Sequence, residues 1–405
     1  MRLFLKKKIK STLVILANQT EKILQLFYFN LKTKYISFKA PMFNTNTPRL
    51  FNLDLHISVI RDLTYGMRNF DVEISSWSIS GANRSARSFF RFSDPVKHVN
   101  RQNWRNMDLE KIKNFQNEYR KFLKKFDGFI VTYTPTFAEL FVPFEKPILV
   151  NIPIRYETPY SDNQESWSRI NNEFIKQNEN GLITFWANNK GDKDYLKYFT
   201  GIEPELVPSM CDYLQLKWNK DNDMTKVIMV KDATLVKEIE KITQQSWRSS
   251  KEVFGGRYEW SDIMKSTYIF HIPYHNSTMQ LFELTTAGVP VIIPSKKFMK
   301  ELFYNGYNVL GELTWFQIYK LDTSSLEPDD PNNFKSETFL DWWLDRSDFY
   351  DSKLMPNIYT IDSFVELITI ASKIDVDILE RQTSIRNIEL EKYRNAKFAN
   401  FLTKL

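Results

Sequence analysis

The chain has 405 residues, 42% of them hydrophobic and 15% aromatic, with 11 glycines and one cysteine, a composition that excludes fibrous, disordered and disulfide-stapled proteins and suffices for two apolar cores. The net charge of +6 originates in residues 1–40, which carry nine basic side chains and one acidic one, so the rest of the chain has a charge of −2. A basic surface for nucleic acid is therefore not expected, and we predict no nucleic-acid partner.

Residues 1–49 are predicted to form a basic N-terminal extension. Lysines alternate there with aliphatic and aromatic side chains, a mixture typical either of a helix on an anionic membrane surface, with contact through residues 1–30, or of an ordinary amphipathic helix in a solvated extension. The apolar run at residues 12–17 is far shorter than the ~20 residues that a spanning helix needs. Cys211 has no partner for an intramolecular disulfide, so we expect a cytoplasmic protein without a spanning segment.

Residues 50–216 are predicted to form a first α/β domain. Apolar and polar side chains alternate from Leu53 to Ile60, which favours a strand ending at Arg61 and Asp62. Further strands are predicted at Val72–Trp77, Phe129–Tyr133, Ile148–Ile152, Gly181–Trp186 and Glu203–Pro208, with helices at Leu109–Lys125 and Tyr195–Gly201. Strands that alternate with helices predict a mostly parallel sheet.

Residues 217–375 are predicted to form a second α/β domain, entered through the polar linker Lys217–Thr225. A strand at Val227–Val230 and a helix at Leu235–Gln245 open this domain. A strand at residues 253–254 then leads into the turn of Gly255, Gly256 and Arg257, and a short helix at Trp260–Lys265 follows.

The segment Tyr268–Pro294 predicts a strand, a polar turn, a short helix and a second strand. The polar turn, residues 275–278, can cap a helix that begins near Met279 and ends at Gly288. A helix N-terminus at the carboxyl end of a strand offers backbone N–H groups to a phosphate, and Glu283 lies about one turn further on. From these residues alone, the segment is either a diphosphate site or an ordinary crossover with a surface glutamate.

The last part of the chain predicts helices at Ile361–Ser372 and from Asp377 to about Leu402, the second within a C-terminal unit of residues 376–405. Asp375 is interpreted as the cap of the last helix rather than as part of a metal site. Trp342 and Trp343 are interpreted as core residues rather than as a platform for a sugar.

The order of elements from residue 253 to Pro294 resembles the nucleotide-sugar domain of GT-B glycosyltransferases. The run from Glu283 through Gly288 to Val291 matches the second half of the Glu-x7-Glu signature of that family, while His275 replaces the first glutamate. The Asn-, Lys- and Phe-rich composition also resembles glycosyltransferases of large DNA viruses. The resemblance implies an α/β fold with two Rossmann-like domains facing each other across a cleft, and a C-terminal helix that crosses back to the first domain.

The resemblance also implies roles for individual residues. Glu283 would bind the nucleotide ribose, and His275 either contacts the sugar or phosphates or is an ordinary turn residue. The donor-binding residues would be Glu283, His275, Ser277, Thr278, Met279, Gln280, Gly255, Gly256, Arg257 and Lys231. A catalytic base would come from the first domain, with Asp62, His56 and Asp94 as candidates.

We therefore predict a glycosyltransferase that moves a sugar from a UDP-, GDP- or other nucleotide-diphosphate-sugar donor to a hydroxyl of a glycan or glycoconjugate. No cofactor and no metal are expected, and retention or inversion at the sugar stays open. Two alternatives share the architecture: a sugar-nucleotide epimerase, which needs no acceptor, and a non-catalytic nucleotide-sugar or glycan-binding protein, suggested by the missing first glutamate.

Overall fold

The computed structural model describes residues 47–80, 96–219, 225–229, 233–249, 260–313 and 322–405. Its strands are β1 Arg49–Asp54, β2 Glu73–Ser78, β3 Gly128–Val131, β4 Ile148–Ile152, β5 Ile183–Ala187, β6 Glu205–Leu206, β7 Thr225–Met229, β8 Arg248–Ser249, β9 Ser266–His271, β10 Val291–Pro294 and β11 Ile358–Ile361. Its helices are α1 Ile57–Gly66, α2 Leu109–Leu123, α3 Gln164–Glu179, α4 Lys190–Thr200, α5 Ala233–Thr243, α6 Trp260–Ile263, α7 Met279–Ala287, α8 Lys296–Tyr304, α9 Phe339–Asp345 and α10 Val376–Leu402.

The strands form two sheets, and every pairing among the described residues is parallel. The first sheet has the order β2-β1-β3-β4-β5-β6 and the second the order β11-β10-β9-β7-β8. In each sheet the direction in which successive strands are added reverses once. The reversal lies between β1 and β3 in the first sheet and between β7 and β9 in the second. This confirms the predicted fold class of two doubly wound α/β units.

The four inner strands of the first sheet, β1, β3, β4 and β5, are buried on both faces, which explains their largely apolar sequences. Leu50 of β1 packs with Trp186 and Phe398 on one face. Phe51 and Leu53, which point the other way, belong to a larger apolar cluster.

The C-terminal helix α10 returns to the first sheet, as predicted. Phe398 and Phe401 near its end pack in the cluster around Leu50. One turn earlier, Arg394 donates from Nη1 to Oδ1 of Asp62 on α1 over 2.8 Å, and both side chains are more than nine-tenths buried. Asp375 begins α10 by accepting a hydrogen bond from the backbone N of Ile378, which confirms its interpretation as a cap.

The prediction of a strand at Leu53–Ile60 is wrong. Strand β1 ends at Asp54, and α1 follows from Ile57 to Gly66. The buried side chains Val59, Ile60 and Leu63 recur at helical spacing, a pattern that the alternation further upstream obscured. The correction moves Asp62 from the expected strand end to the second turn of a helix.

The predicted helix at Ile361–Ser372 is also wrong. Residues Ile358–Ile361 form β11, and two 3-10 turns, Phe364–Ile368 and Ile370–Lys373, follow it. Ile361 therefore ends a strand at the edge of the second sheet. Trp343 has no exposed surface, so its interpretation as a core residue is confirmed.

No helix in the described ranges is long and apolar enough to cross a bilayer.

The buried pair of Arg394 and Asp62 should be costly to break. We expect Arg394→Ala to lower the free energy of unfolding by about 3–5 kcal/mol, because it leaves a buried carboxylate without its cation. Lys397→Ala, three residues away on α10, removes a half-exposed ion pair with Glu205 and should cost less than about 1 kcal/mol. Urea denaturation of both variants measures the difference, and equal losses would contradict the expectation.

Candidate active site

A cavity of about 520 Å³ lies at the carboxyl ends of the strands, where the two sheets face each other. Leu55 follows β1, Tyr133 follows β3 and Arg155 follows β4, while His275 and Glu312 come from the second domain. Open parallel sheets bind ligands in the crevice where the strand order reverses, which in the first sheet is the space between β1 and β3. We therefore take this cavity as the candidate active site.

The walls of the cavity mix aromatic, amide, hydroxyl and charged side chains. They are formed by Leu55, Trp104, Arg105, Asn106, Tyr133, Ile154, Arg155, Thr158, Pro159, Ser161, Asp162, His275 and Glu312. Aromatic faces suit the apolar side of a sugar ring, and amides and carboxylates suit its hydroxyls. The lining therefore fits a polar ligand with an apolar face.

His56 lies beside this cavity at the N-cap of α1. Its ring is half-buried and lies 5.0 Å, centroid to centroid, from the ring of Tyr133. Burial lowers the pKa of the imidazole, and the nearby Asp54 carboxylate partly offsets that effect. In the described part of the chain, Nδ1 of His56 is buried without a hydrogen-bond partner. The group is thus a neutral imidazole able to accept a proton.

Asp54, the last residue of β1, fixes the loop across the crevice. Its carboxylate accepts hydrogen bonds from the backbone N of Thr132, Tyr133 and Thr134 at 2.8, 2.6 and 3.0 Å. Burial raises the pKa of Asp54, and these backbone bonds oppose the rise. The carboxyl group therefore holds Tyr133 next to His56.

The polar turn and α7 have the predicted local structure. Thr278 caps α7 by accepting from the backbone N of Leu281, and Gly288 ends the helix with a left-handed φ of 79°. His275 lines the cavity, with Nδ1 3.2 Å from the carbonyl oxygen of Ser277. Ser277 and Gln280 are half-buried, and Met279 packs its Sδ 3.6 Å from Oγ of Ser209.

Glu283 is not at the cavity. Its side chain is 4% exposed and accepts a hydrogen bond from the Tyr213 hydroxyl. Burial raises the pKa of Glu283 to about 8, with a smaller upward contribution from Asp62 and opposing ones from Tyr213 and Ser58. The carboxyl group is therefore protonated at neutral pH, and its role in ribose binding stays a prediction.

Asp62, one of the base candidates, is likewise engaged inside the protein. Besides the bond from Arg394, its Oδ1 accepts hydrogen bonds from the backbone N of Met210 and Cys211 at 3.1 and 2.7 Å. These contacts join α1 to the segment that follows β6, the last strand of the first sheet. Of the two catalytic candidates in the described residues, the structure thus brings His56 to the crevice and keeps Asp62 away from it.

Several predicted site residues lie outside the described residues. They are Lys231, Gly255, Gly256 and Arg257 of the second domain and Asp94 of the first.

Sequence reasoning missed the segment that follows β4. Arg155 is 2% exposed and donates to the carbonyl oxygens of Glu312 and Leu313 at 3.2 and 3.0 Å, so it joins the two domains beneath the cavity. Glu157, two residues later, is fully buried, and burial raises its pKa to about 7. The available signal was Arg155, a charged residue three positions after the end of a fully buried strand.

No protein-family model matches the sequence, and no curated protein matches it. Among solved structures, the chain is similar to the glycosyltransferase SnogD from Streptomyces nogalater, with 14% identity, a TM-score of 0.39 and coverage of 80% of this chain and 100% of that one. The calicheamicin glycosyltransferase CalG4 has 7% identity, a TM-score of 0.40 and coverage of 89% and 100%. The spinosyn forosaminyltransferase SpnP has 13% identity, a TM-score of 0.35 and coverage of 86% and 100%.

These structural neighbours are glycosyltransferases. The superpositions are loose, so the function of this chain has to be inferred from the cleft itself.

The raised pKa of Glu283 makes stability depend on pH. The folded protein keeps a proton on Glu283 that the unfolded chain releases above its ordinary pKa of 4.5. The stabilisation is therefore complete below about pH 4.5 and is lost as the pH rises through about 8. We expect the unfolding free energy of the wild type to fall between pH 5 and 8 relative to that of Glu283→Gln, which cannot titrate.

Urea denaturation of the two proteins at pH 5, 6.5 and 8 measures this difference. A constant difference across the three pH values would show that Glu283 does not titrate between them in the folded protein.

Proposed function

We propose that this protein is a glycosyltransferase that moves a sugar from a nucleotide-diphosphate-sugar donor to a hydroxyl of a glycan or glycoconjugate, without a metal. The observation that carries the proposal is the cavity at the carboxyl ends of two doubly wound parallel sheets, with walls contributed by both. Two facing domains can hold a donor and an acceptor on opposite sides of one cleft. The polar walls of this cavity suit a hydroxyl-rich acceptor.

His56 would be the base of the reaction. The acceptor oxygen attacks the anomeric carbon of the sugar, the bond from that carbon to the phosphate oxygen breaks with its electron pair leaving on the diphosphate, and His56 takes the hydroxyl proton. Asp54 favours the resulting imidazolium through its charge. A single displacement of this kind inverts the anomeric configuration, so we propose an inverting enzyme.

The donor would bind on the side of the second domain. The polar turn leads into the N-terminus of α7, where backbone N–H groups and the helix dipole stabilise a phosphate. Lys231 and Arg257 are the proposed basic partners of the diphosphate. For Glu283 to bind the ribose, the Tyr213 hydroxyl must first release it.

Ligand-dependent stability tests the donor site. A nucleotide sugar at 100 times its Kd should stabilise the protein by about 2.7 kcal/mol, so a panel of nucleotides and nucleotide sugars should give a selective rise in Tm. Release of nucleoside diphosphate only with an acceptor supports a transferase, whereas conversion of the donor sugar without acceptor indicates an epimerase. No shift with any member of the panel would contradict the proposal.

His56→Asn tests the base, and asparagine keeps a good N-cap for α1. We expect kcat to fall by about 10²- to 10⁴-fold with donor affinity unchanged, because proton transfer is lost while the donor side is intact. His98→Asn is the matched control: neither His98 nor its neighbours in sequence line the cavity, whereas Leu55 and Tyr133, which adjoin His56, do. Asparagine also tolerates the φ of 70° at His98. An unchanged kcat in His56→Asn would remove His56 from the mechanism.

The stereochemistry is tested separately. NMR of the product should show that the anomeric configuration of the sugar is inverted relative to the donor.

A further inference from the structure

Asn276 lies in the middle of the polar turn, next to the cavity-lining His275, and has no exposed surface. Its side chain reaches the first domain: Nδ2 donates to Oδ1 of Asn189 over 3.1 Å. Asn189 is the N-cap of α4, at the carboxyl end of β5. The turn proposed to bind the donor is thus bonded directly to the domain proposed to bind the acceptor.

Asn189 is itself held rigidly. Its Oδ1 also accepts from the backbone N of Asp192 at 2.8 Å, and its Nδ2 donates to Oδ2 of Asp192 at 2.6 Å and to Oδ1 of Asn188 at 2.8 Å. Asn188 in turn donates to Oγ of Ser209 over 3.1 Å. All these side chains are at most 2% exposed. Asn276 therefore docks on a fixed acceptor rather than on a mobile side chain.

Gly191 makes this contact sterically feasible. It is the second residue of α4, and a Cβ built at this position would lie 2.2 Å from Nδ2 of Asn276. Alanine has a higher helix propensity than glycine, so helix stability does not explain a glycine at this position. The missing side chain is explained by the close approach of Asn276.

The network is also poorly arranged as a stabilising device. In the described part of the chain, Oδ1 of Asn276 and Oδ1 of Asp192 are buried without hydrogen-bond partners. Apolar side chains of similar volume would avoid these unpaired polar groups. What the polar contact provides, and apolar packing would not, is one defined register between the two domains.

The geometry points to Asn276, Asn189 and Gly191 as a positioning device that sets the polar turn in register with the base side of the cleft. This rests on the proposed function, because the register matters when donor and acceptor are held by different domains. Reacting groups that are misplaced by about 1 Å can lose about 100-fold in rate. If the donor is held by the second domain, as proposed, its affinity should change little when the register is lost.

The test uses the full chain with Asn276→Ala, Gly191→Ala and the double variant. We expect each single variant to lower kcat by about 10- to 100-fold while the donor Kd stays within about threefold. The double variant should be no worse than Asn276→Ala, because without the asparagine amide the new methyl group has room. Asn276→Ser, a smaller change, serves if Gly191→Ala fails to fold.

Lys193→Ala is the control on the same helix, since it removes an exposed ion pair with Glu203 and should leave kcat unchanged. Unchanged kcat in folded Asn276→Ala, a loss confined to donor Kd, or multiplicative losses in the double variant would overturn the inference.

Hydrogen exchange separates this inference from the proposed function. Gly191→Ala should speed amide exchange in residues 272–278, although the substitution lies in the other domain, and Lys193→Ala should not. If the wild type binds and turns over no nucleotide sugar, the proposed function fails, and exchange alone then decides whether Gly191 and Asn276 act as a pair. Unchanged exchange in residues 272–278 would overturn the pairing.

Discussion

Parallel strand pairing is the constraint on which the rest of this structure depends. Because all described strands of a sheet run in the same direction, the residues that follow them converge at one edge. Leu55, Tyr133 and Arg155 come from three separate strand ends and still line one cavity. The second sheet has the same kind of winding, and His275, in the polar turn that follows β9, lines the same cavity. The cleft is thus a consequence of topology, and its chemistry comes from the loops.

The two domains are joined by buried polar contacts as well as by apolar packing. Arg155 donates to the carbonyl of Leu313, and Asn276 donates to Asn189. The pair of Arg394 and Asp62 fixes the C-terminal helix to the first domain. Such contacts have narrow geometric requirements, whereas apolar surfaces can slide with little change in energy. An enzyme that must align two substrates across a domain boundary needs this kind of directional contact, which is why we interpret the boundary as part of the site.

Burial also raises the pKa of three carboxyl groups in this structure. Glu283 of the second domain accepts a hydrogen bond from Tyr213 of the first, and burial raises its pKa to about 8. Glu157 is buried among side chains of the first domain, and burial raises its pKa to about 7. Asp348 accepts a hydrogen bond from the backbone N of Lys190 at the start of α4, and burial raises its pKa to about 7 as well. Because burial favours the protonated form of each group, these carboxyl groups stabilise the folded protein more at low pH than at high pH.

The sequence by itself determined eight of the eleven described strands, six of the ten described helices and three helix caps, because those depend on neighbours within a few residues. Thr278, Gly288 and Asp375 act where their local patterns predicted. The alternation before Val59 fitted both a strand and a helix, so α1 was missed and Asp62 was misplaced. Tertiary structure alone decided that Asp62 meets Arg394, 332 residues away, and that Glu283 faces Tyr213. Partners so distant leave no local pattern, since the pairing depends on how the finished sheets and helices come together.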